Sequence, residues 1–402
     1  MRRCACLALA LAMGTPSLSA AATPAPPSLS VRAAALVAPA TGQLLYGANA
    51  DTQLPIASTT KLMTALVTLQ HASMSQVFTY PGLPLSAADS QIGLAAGERM
   101  SVYDLFVAML VPSADDAAYD LAFNVGHGSV GSFVAMMNSE AAQLGLTHTH
   151  YSTPIGLDTP GNYSSASDLV KLASYLLKQY PLFARVVALP SAVLHSGSHV
   201  RVVVSRNDLV GHDGIFGVKT GYTLGAGYVL VASARHGNLT LLSAVLGTFS
   251  MAARDQNTLA LLGWGYSSFR LAKLITAGAV LARPAVADQP GTHAVVIATT
   301  SLSHVIATGA RIKIDLALRH PLAGPIARGV IVGNATVFAD GKRIGTVPLA
   351  LQKAIPTLSP LTRVARFVTR ASTLVLLALL LCVAAVLVVR RRQQRQAHRN
   401  TA

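Results

Sequence analysis

The sequence predicts an α/β protein: one antiparallel sheet with a helical lobe, then a small all-β domain and one transmembrane helix. Three observations predict it. Strand-like segments occur before residue 50 and again after residue 200, with helical periodicity between them. From about Ile275 the chain breaks into short apolar runs separated by glycine turns. Residues 371–389 then form a run of nineteen residues without a charge. At about 1.5 Å per residue such a helix just crosses a hydrocarbon core of about 30 Å.

The elements follow in order. Met1-Arg2-Arg3, an apolar run over 4–13 and the small residues Ser19-Ala20-Ala21-Ala22 read as a secretory signal peptide over 1–22. About ten apolar residues are too few to span a bilayer. Residues 33–37 and 43–46 read as strands joined by the turn Ala38-Pro39-Ala40-Thr41-Gly42. Residues 62–69 read as a buried helix, and a helix-rich stretch continues to about Leu177. Strands are predicted over 200–204 and around Lys219, then a hairpin of 227–234 with 239–246, turning at His236-Gly237-Asn238. A helix over 253–262 closes this catalytic-sized domain, 23–270, with Trp264, Tyr266 and Phe269 as its closing core. Residues 275–355 make the β domain, with strands at 294–298, 311–316, 329–332, 336–338 and 343–348. Asp340-Gly341 is its hairpin signal.

The formal charge of +15 is not spread over the chain. Arg2 and Arg3 flank the signal, and eight arginines follow residue 360. Residues 25–360 carry only a small surplus and no basic stripe with interleaved aromatics, which argues against nucleic acid as a partner. Three arginines precede the 371–389 span and five follow it, so the tail 390–402 is expected on the cytoplasmic face. Behind a cleaved signal, the body is then expected outside the cytoplasm, held by a single pass through the cell membrane. Cys4, Cys6 and Cys382 are the three cysteines, so the exported body has none for a disulfide or for thiol catalysis.

Ser58-Thr59-Thr60-Lys61 carries the chemistry. A serine and a lysine three apart share one helix face, and the hydroxyl sits at the positive end of the helix dipole. A neutral lysine one turn on can take the serine's proton. Alone, the motif also fits an ordinary helix start capped by Ser58 or Thr59. Two further elements follow in order: Ser113-Ala114-Asp115, and Lys219-Thr220-Gly221-Tyr222. Together they resemble the Ser-x-x-Lys, Ser-x-Asn and Lys-Thr-Gly triplet of the serine D-alanyl-D-alanine carboxypeptidases, the low-molecular-mass penicillin-binding proteins. Pro55 to Thr64, Asp213-Gly214, Ala226-Gly227-Tyr228, Leu144-Gly145-Leu146 and Ser167-Asp168-Leu169 follow the same family's pattern. The resemblance covers roughly residues 30 to 355.

The resemblance implies a penicillin-binding, β-lactamase-like fold and removal of the terminal D-alanine from peptidoglycan stem pentapeptides. It implies Ser58 as nucleophile, Lys61 as general base and Ser113 as proton relay. It makes Asp115, Lys219, Thr220, Gly221 and Tyr222 substrate-binding, with the backbone N–H groups of Ser58 and Tyr222 as the oxyanion hole. It implies no cofactor and no metal, and β-lactam antibiotics as covalent inhibitors. His148-Thr149-His150 has no third ligand at sensible spacing and reads as loop. Ser113 and Asp116 also fit a capping box, with Asp116 as a structural cap. Asp115 departs from the family, which has asparagine there. An ionised carboxylate offers no donor, and it favours the charged form of a neighbouring lysine. A D,D-endopeptidase, a β-lactamase and a catalytically impaired wall-binding protein therefore stand beside the carboxypeptidase as readings.

Overall fold

The computed structural model describes residues 24–83, 85–86, 90–287, 289, 291–357, 364 and 371–399. The predicted signal peptide lies outside the described residues, as does the end of the basic tail. The chain divides into two compact units, one running to Ala272 with His304–Ala310, the other taking Lys273–Ser303 and Arg311 onward.

The first unit is built on a five-stranded antiparallel sheet. Strands β1 (Ala33–Ala38) and β2 (Gln43–Ala48) open it. Two short hairpins follow, β3 (Val77–Thr79) with β4 (Arg99–Ser101), and β5 (Ser191–Leu194) with β6 (Arg201–Val204). Strands β7 (Ile215–Thr223), β8 (Gly227–His236) and β9 (Leu239–Thr248) complete the sheet, in the order β2-β1-β9-β8-β7. The alternation of side chains along each strand serves two cores. Ala33, Ala35, Val229, Val231, Ala244 and Leu246 belong to one cluster; Ala34, Leu36, Leu230, Ala232 and Val245 belong to the other. That is why β1 is buried at every position, where a one-sided sheet would alternate.

The first face packs a helical lobe: α1 (Lys61–His71), α2 (Val102–Leu110), α3 (Asp115–Val125), α4 (Val130–Gln143), α5 (Ala166–Gln179) and α6 (Pro181–Val187). Three start on a serine whose side chain accepts the N–H three residues on: Ser101, Ser129 and Ser165. The other face packs α7 (Met251–Ser268), longer than the predicted 253–262 and capped by Ser250. Trp264 makes edge contacts with Tyr46 and Phe269, at 5.8 and 5.3 Å between ring centroids, and donates from Nε1 to Pro24 O.

Strands β10 (Phe269–Ile275) and β13 (Leu302–Ala307) pair with each other. The second unit's sheet runs β11-β12-β16-β15-β14, from β11 (Val280–Ala282), β12 (Val296–Ala298), β14 (Ile312–Leu318), β15 (Ile331–Ala339) and β16 (Lys342–Leu351). One expectation is corrected here. Residues 329–332 and 336–338 were predicted as separate strands, but β15 runs through both. Gly333 is not a turn residue: a Cβ there would meet Ala317 O at 2.2 Å, so it is the point where β14 comes close. Finally, α8 (Ala371–Arg399) is a single helix, apolar and long enough over Ser372–Gln396 to cross a membrane.

Candidate active site

The three motifs converge in the first unit. Ser58 lies in a 3₁₀ turn, Ala57–Thr60, that runs straight into α1. Two glycines let other chain segments close around that turn. A Cβ at Gly221 on β7 would stand 2.8 Å from Ser58 N, and one at Gly156 would stand 1.9 Å from Ala57 O. The glycine of Lys-Thr-Gly is therefore a close-approach residue. Ala57 itself takes a left-handed φ of 47°, a backbone cost accepted directly before Ser58.

Lys61 is fully buried, one turn beyond Ser58. Its Nζ lies 2.8 Å from Ser58 Oγ, 2.6 Å from Asp115 Oδ1 and 3.3 Å from Ile155 O; Ser113 Oγ is farther, at 3.5 Å. A neutral amine has two N–H groups and one lone pair. If the N–H groups go to Asp115 and Ile155, the lone pair faces the Ser58 hydroxyl and can take its proton. In the ammonium form every position is a donor, and the base is lost. Asp115 and Lys61 form a buried pair, 2.6 Å apart.

Lys219, on β7, is buried behind the same wall. It bonds Ser113 Oγ at 2.8 Å and donates to Thr220 O at 2.9 Å. Burial first, then the charge of Lys61, holds its amine well below the usual lysine range. It thus favours the neutral form, whose lone pair can accept the Ser113 proton. Ser113 stands between the two lysines, the arrangement a proton relay needs.

The capping-box reading of Ser113 does not hold. Helix α3 begins at Asp115, its N-cap is Ala114, and no side chain caps it. Ser113 takes a left-handed φ of 67°, which turns its hydroxyl away from the helix end and toward the lysines. Asp116 is structural in another way. Its carboxylate accepts from the N–H groups of Ile92, Gly93, Leu94 and Ala117, fixing the loop beside the site. Asp115 adds a bond from its own N–H to Ser90 O, at 2.6 Å.

Ser58, Ser113, Asp115, Thr220 and Tyr222 all line one cleft of about 310 Å³. Gly221 lines it too, and the Tyr222 ring lies tilted against Tyr228, 4.3 Å between centroids. Lys219, expected to hold a carboxylate, is not among the lining residues; its amine is engaged by Ser113. Two arginines that sequence reasoning missed do line the cleft, Arg206 and Arg254. Neither sits in a motif: Arg254 is one residue in α7 and Arg206 follows β6, so only folding brings their charge to the cleft. Arg254 is itself set by Asp255, 2.8 Å from its Nη2. His150 lies apart and shares a hydrogen bond with Gly161 O, a loop contact.

Comparison with known proteins identifies the family. The profile of the D-alanyl-D-alanine carboxypeptidases matches residues 20–250, and that of the penicillin-binding protein 5 C-terminal domain matches 269–357. The chain is 32% identical to D-alanyl-D-alanine carboxypeptidase DacC of Escherichia coli, covering 82% of this chain and 85% of the relative. It superposes on penicillin binding protein 5 of Haemophilus influenzae with a TM-score of 0.67 at 28% identity, over 83% of this chain and 99% of that one. Penicillin-Binding Protein D2 of Listeria monocytogenes, solved in an ampicillin-bound form, matches at 33% identity and TM-score 0.54, over 59% of this chain and 98% of that one. The chain belongs to the D-alanyl-D-alanine carboxypeptidase family of serine peptidases.

Proposed function

We propose that the chain removes the terminal D-alanine from peptidoglycan stem pentapeptides through an acyl-enzyme on Ser58. The observation that carries this reading is the 2.8 Å contact between Ser58 Oγ and the buried Lys61 Nζ, at the edge of a cleft that Thr220, Arg206 and Arg254 also line. Ser58 Oγ attacks the carbonyl of the penultimate residue as its proton passes to Lys61. The leaving amine takes a proton from Ser113, which draws on the lysines beside it. Water then attacks the ester by the reverse path, returning the proton to Ser58. The N–H groups of Ser58 and Tyr222 are suited to the developing oxyanion, since Gly221 lets the two segments approach. Thr220 and the two arginines supply the hydroxyl and positive charge that a terminal carboxylate requires. Asp115 binds Lys61 and leaves only one carboxylate edge for the substrate amide.

The same reading makes β-lactams covalent inhibitors of Ser58. It holds the enzyme to the cell membrane through α8, with 390–402 on the cytoplasmic side and the body outside, after removal of 1–22. The domains of this reading are 23–270 for catalysis and 275–355 as a β spacer. The test is labelling by a fluorescent penicillin together with D-alanine release from a pentapeptide. Both should be lost in Ser58→Ala while the fold remains. A covalent adduct on the alanine variant would show the nucleophile to be elsewhere. No labelling and no release by the wild-type chain would favour the impaired wall-binding protein.

A further inference from the structure

Strand β7 runs the length of the catalytic cleft. Lys219 and Thr220 stand at its cationic end, where the charges of Arg206 and Arg254 both reach the lysine amine. Thr223, the last residue of β7, also lines the cleft. It lies three residues on from Thr220, roughly 10 Å along an extended strand. A carboxylate is held there. Thr223 Oγ1 donates to Asp158 Oδ1 at 2.6 Å, and Gly225 N donates to Asp158 Oδ2 at 2.8 Å. Glycine makes the approach possible, since a Cβ at Gly225 would crowd the carboxyl group at 3.0 Å. Both donors are neutral, and each carboxylate oxygen keeps a lone pair for a further partner. Asp158 is exposed, and among the described residues no lysine, arginine or histidine pairs with it. Arg32 lies near by but donates to Gly225 O, at 2.9 Å. Asp115, the carboxylate inside the cleft, is engaged by Lys61.

Two apolar side chains flank the way to this carboxylate. Leu157, the residue before Asp158, and Tyr222, the residue before Thr223, are 40% and 51% exposed, and both line the cleft. Such surfaces suit the methylene stem of a side chain that ends in an ammonium group. The length of the substrate brings one there. In the reading above, the terminal carboxylate lies by Thr220 and the attacked carbonyl by the Tyr222 N–H. A peptide that continues along β7 brings its next residue to Thr223. In a stem pentapeptide that third residue is a diamino acid, with an amine on its side chain.

We propose that Asp158 is a specificity-determining residue: its carboxylate pairs with the free side-chain ammonium of the diamino acid that precedes D-alanyl-D-alanine, while Leu157 and Tyr222 cover the methylene stem. The inference rests on the Ser58 reading and deepens it. The preferred substrate is a stem peptide whose side-chain amine is still free. An acylated amine carries no charge and loses the contact. Asp158 takes no part in making or breaking a bond; it acts on which peptide is held.

The test follows D-alanine release by the full chain in detergent from two peptides that differ in one group. The first is Nα-acetyl-L-lysyl-D-alanyl-D-alanine with its side-chain amine free; in the second that amine is acetylated. At low salt, wild type should show a kcat/KM about fivefold higher on the free-amine peptide, the upper range for one exposed ion pair. The preference should shrink at high salt. Asp158→Asn removes the charge and can keep both contacts, with Oδ1 accepting from Gly225 N and Nδ2 donating to Thr223 Oγ1. Its ratio of kcat/KM values should fall to about one, through loss on the free-amine peptide. A purely structural role would slow both peptides alike and leave the ratio at its wild-type value, which overturns the inference. A wild-type ratio below about two overturns it without any variant and spares the Ser58 reading. A wild-type chain that releases D-alanine from neither peptide sinks that reading, and the inference with it.

Discussion

Asp115 Oδ1 stands 2.6 Å from Lys61 Nζ, and both side chains are buried. The base proposed to activate Ser58 is therefore one half of an ion pair. Asparagine at this position would keep the acceptor oxygen, remove the charge and add an amide donor. Asp115→Asn should raise the penicillin acylation rate by about tenfold, because the amide can donate to the substrate while its oxygen still accepts from Lys61. Stopped-flow acylation measures this. An asparagine variant slower than wild type would mean that the carboxylate itself helps the reaction.

Ser113 combines a relay position with a left-handed backbone. Ser113→Ala and Ser113→Gly should each slow acylation by about a hundredfold, since both remove the hydroxyl between the lysines. Their stabilities should differ. Glycine accepts a φ of 67° freely and alanine does not, so the glycine variant should be more stable than the alanine variant by about 1 kcal/mol. Denaturant unfolding checks the second claim. Alanine and glycine variants of equal stability would show that the turn relaxes.

Gly221→Ala would set a methyl group 2.8 Å from Ser58 N and 2.9 Å from Ala57 Cβ. The Ser58 turn must then move. Penicillin acylation should fall by at least about a hundredfold, because small displacements at a reacting centre are costly. The secondary structure, followed by circular dichroism, should be retained. Acylation within a few-fold of wild type would mean that the turn tolerates displacement.

Asp120 is fully buried on α3, one turn after Asp116, and its Oδ1 accepts from Asn124 Nδ2 at 2.7 Å. Burial first, then the charges of Asp116 and Glu98, raises its carboxyl to about 7. A raised acid favours folding when protonated. Its contribution is full below about pH 4 and is lost as pH rises through 7. In Asp120→Asn that loss is absent. The stability of the variant relative to wild type should thus grow by up to about 4 kcal/mol between pH 4 and pH 8. Unfolding midpoints at both pH values decide it. A gap that does not widen would mean that Asp120 is already ionised at pH 4.

The sequence by itself determined the chemistry and the order of the elements. Ser58 and Lys61 were legible because their spacing is local, and Ser113 and Lys219 because each sits in a short motif of specific residue types in the family's order. The sheet and the helical lobe were legible because apolar periodicity is a local record of which side is buried. The nineteen-residue apolar run was legible for the same reason. Tertiary structure decided what depends on contacts between distant segments. It joined 329–332 to 336–338 in one strand, because Gly333 serves the neighbouring strand and not a turn. It set Ser113 between two lysines 106 positions and 52 positions away and ruled out its alternative reading as a helix cap. It brought Arg206 and Arg254 into the cleft. Hydrogen bonds and close approaches across such separations leave no periodic trace in a chain, because each partner's local pattern is set by its own element.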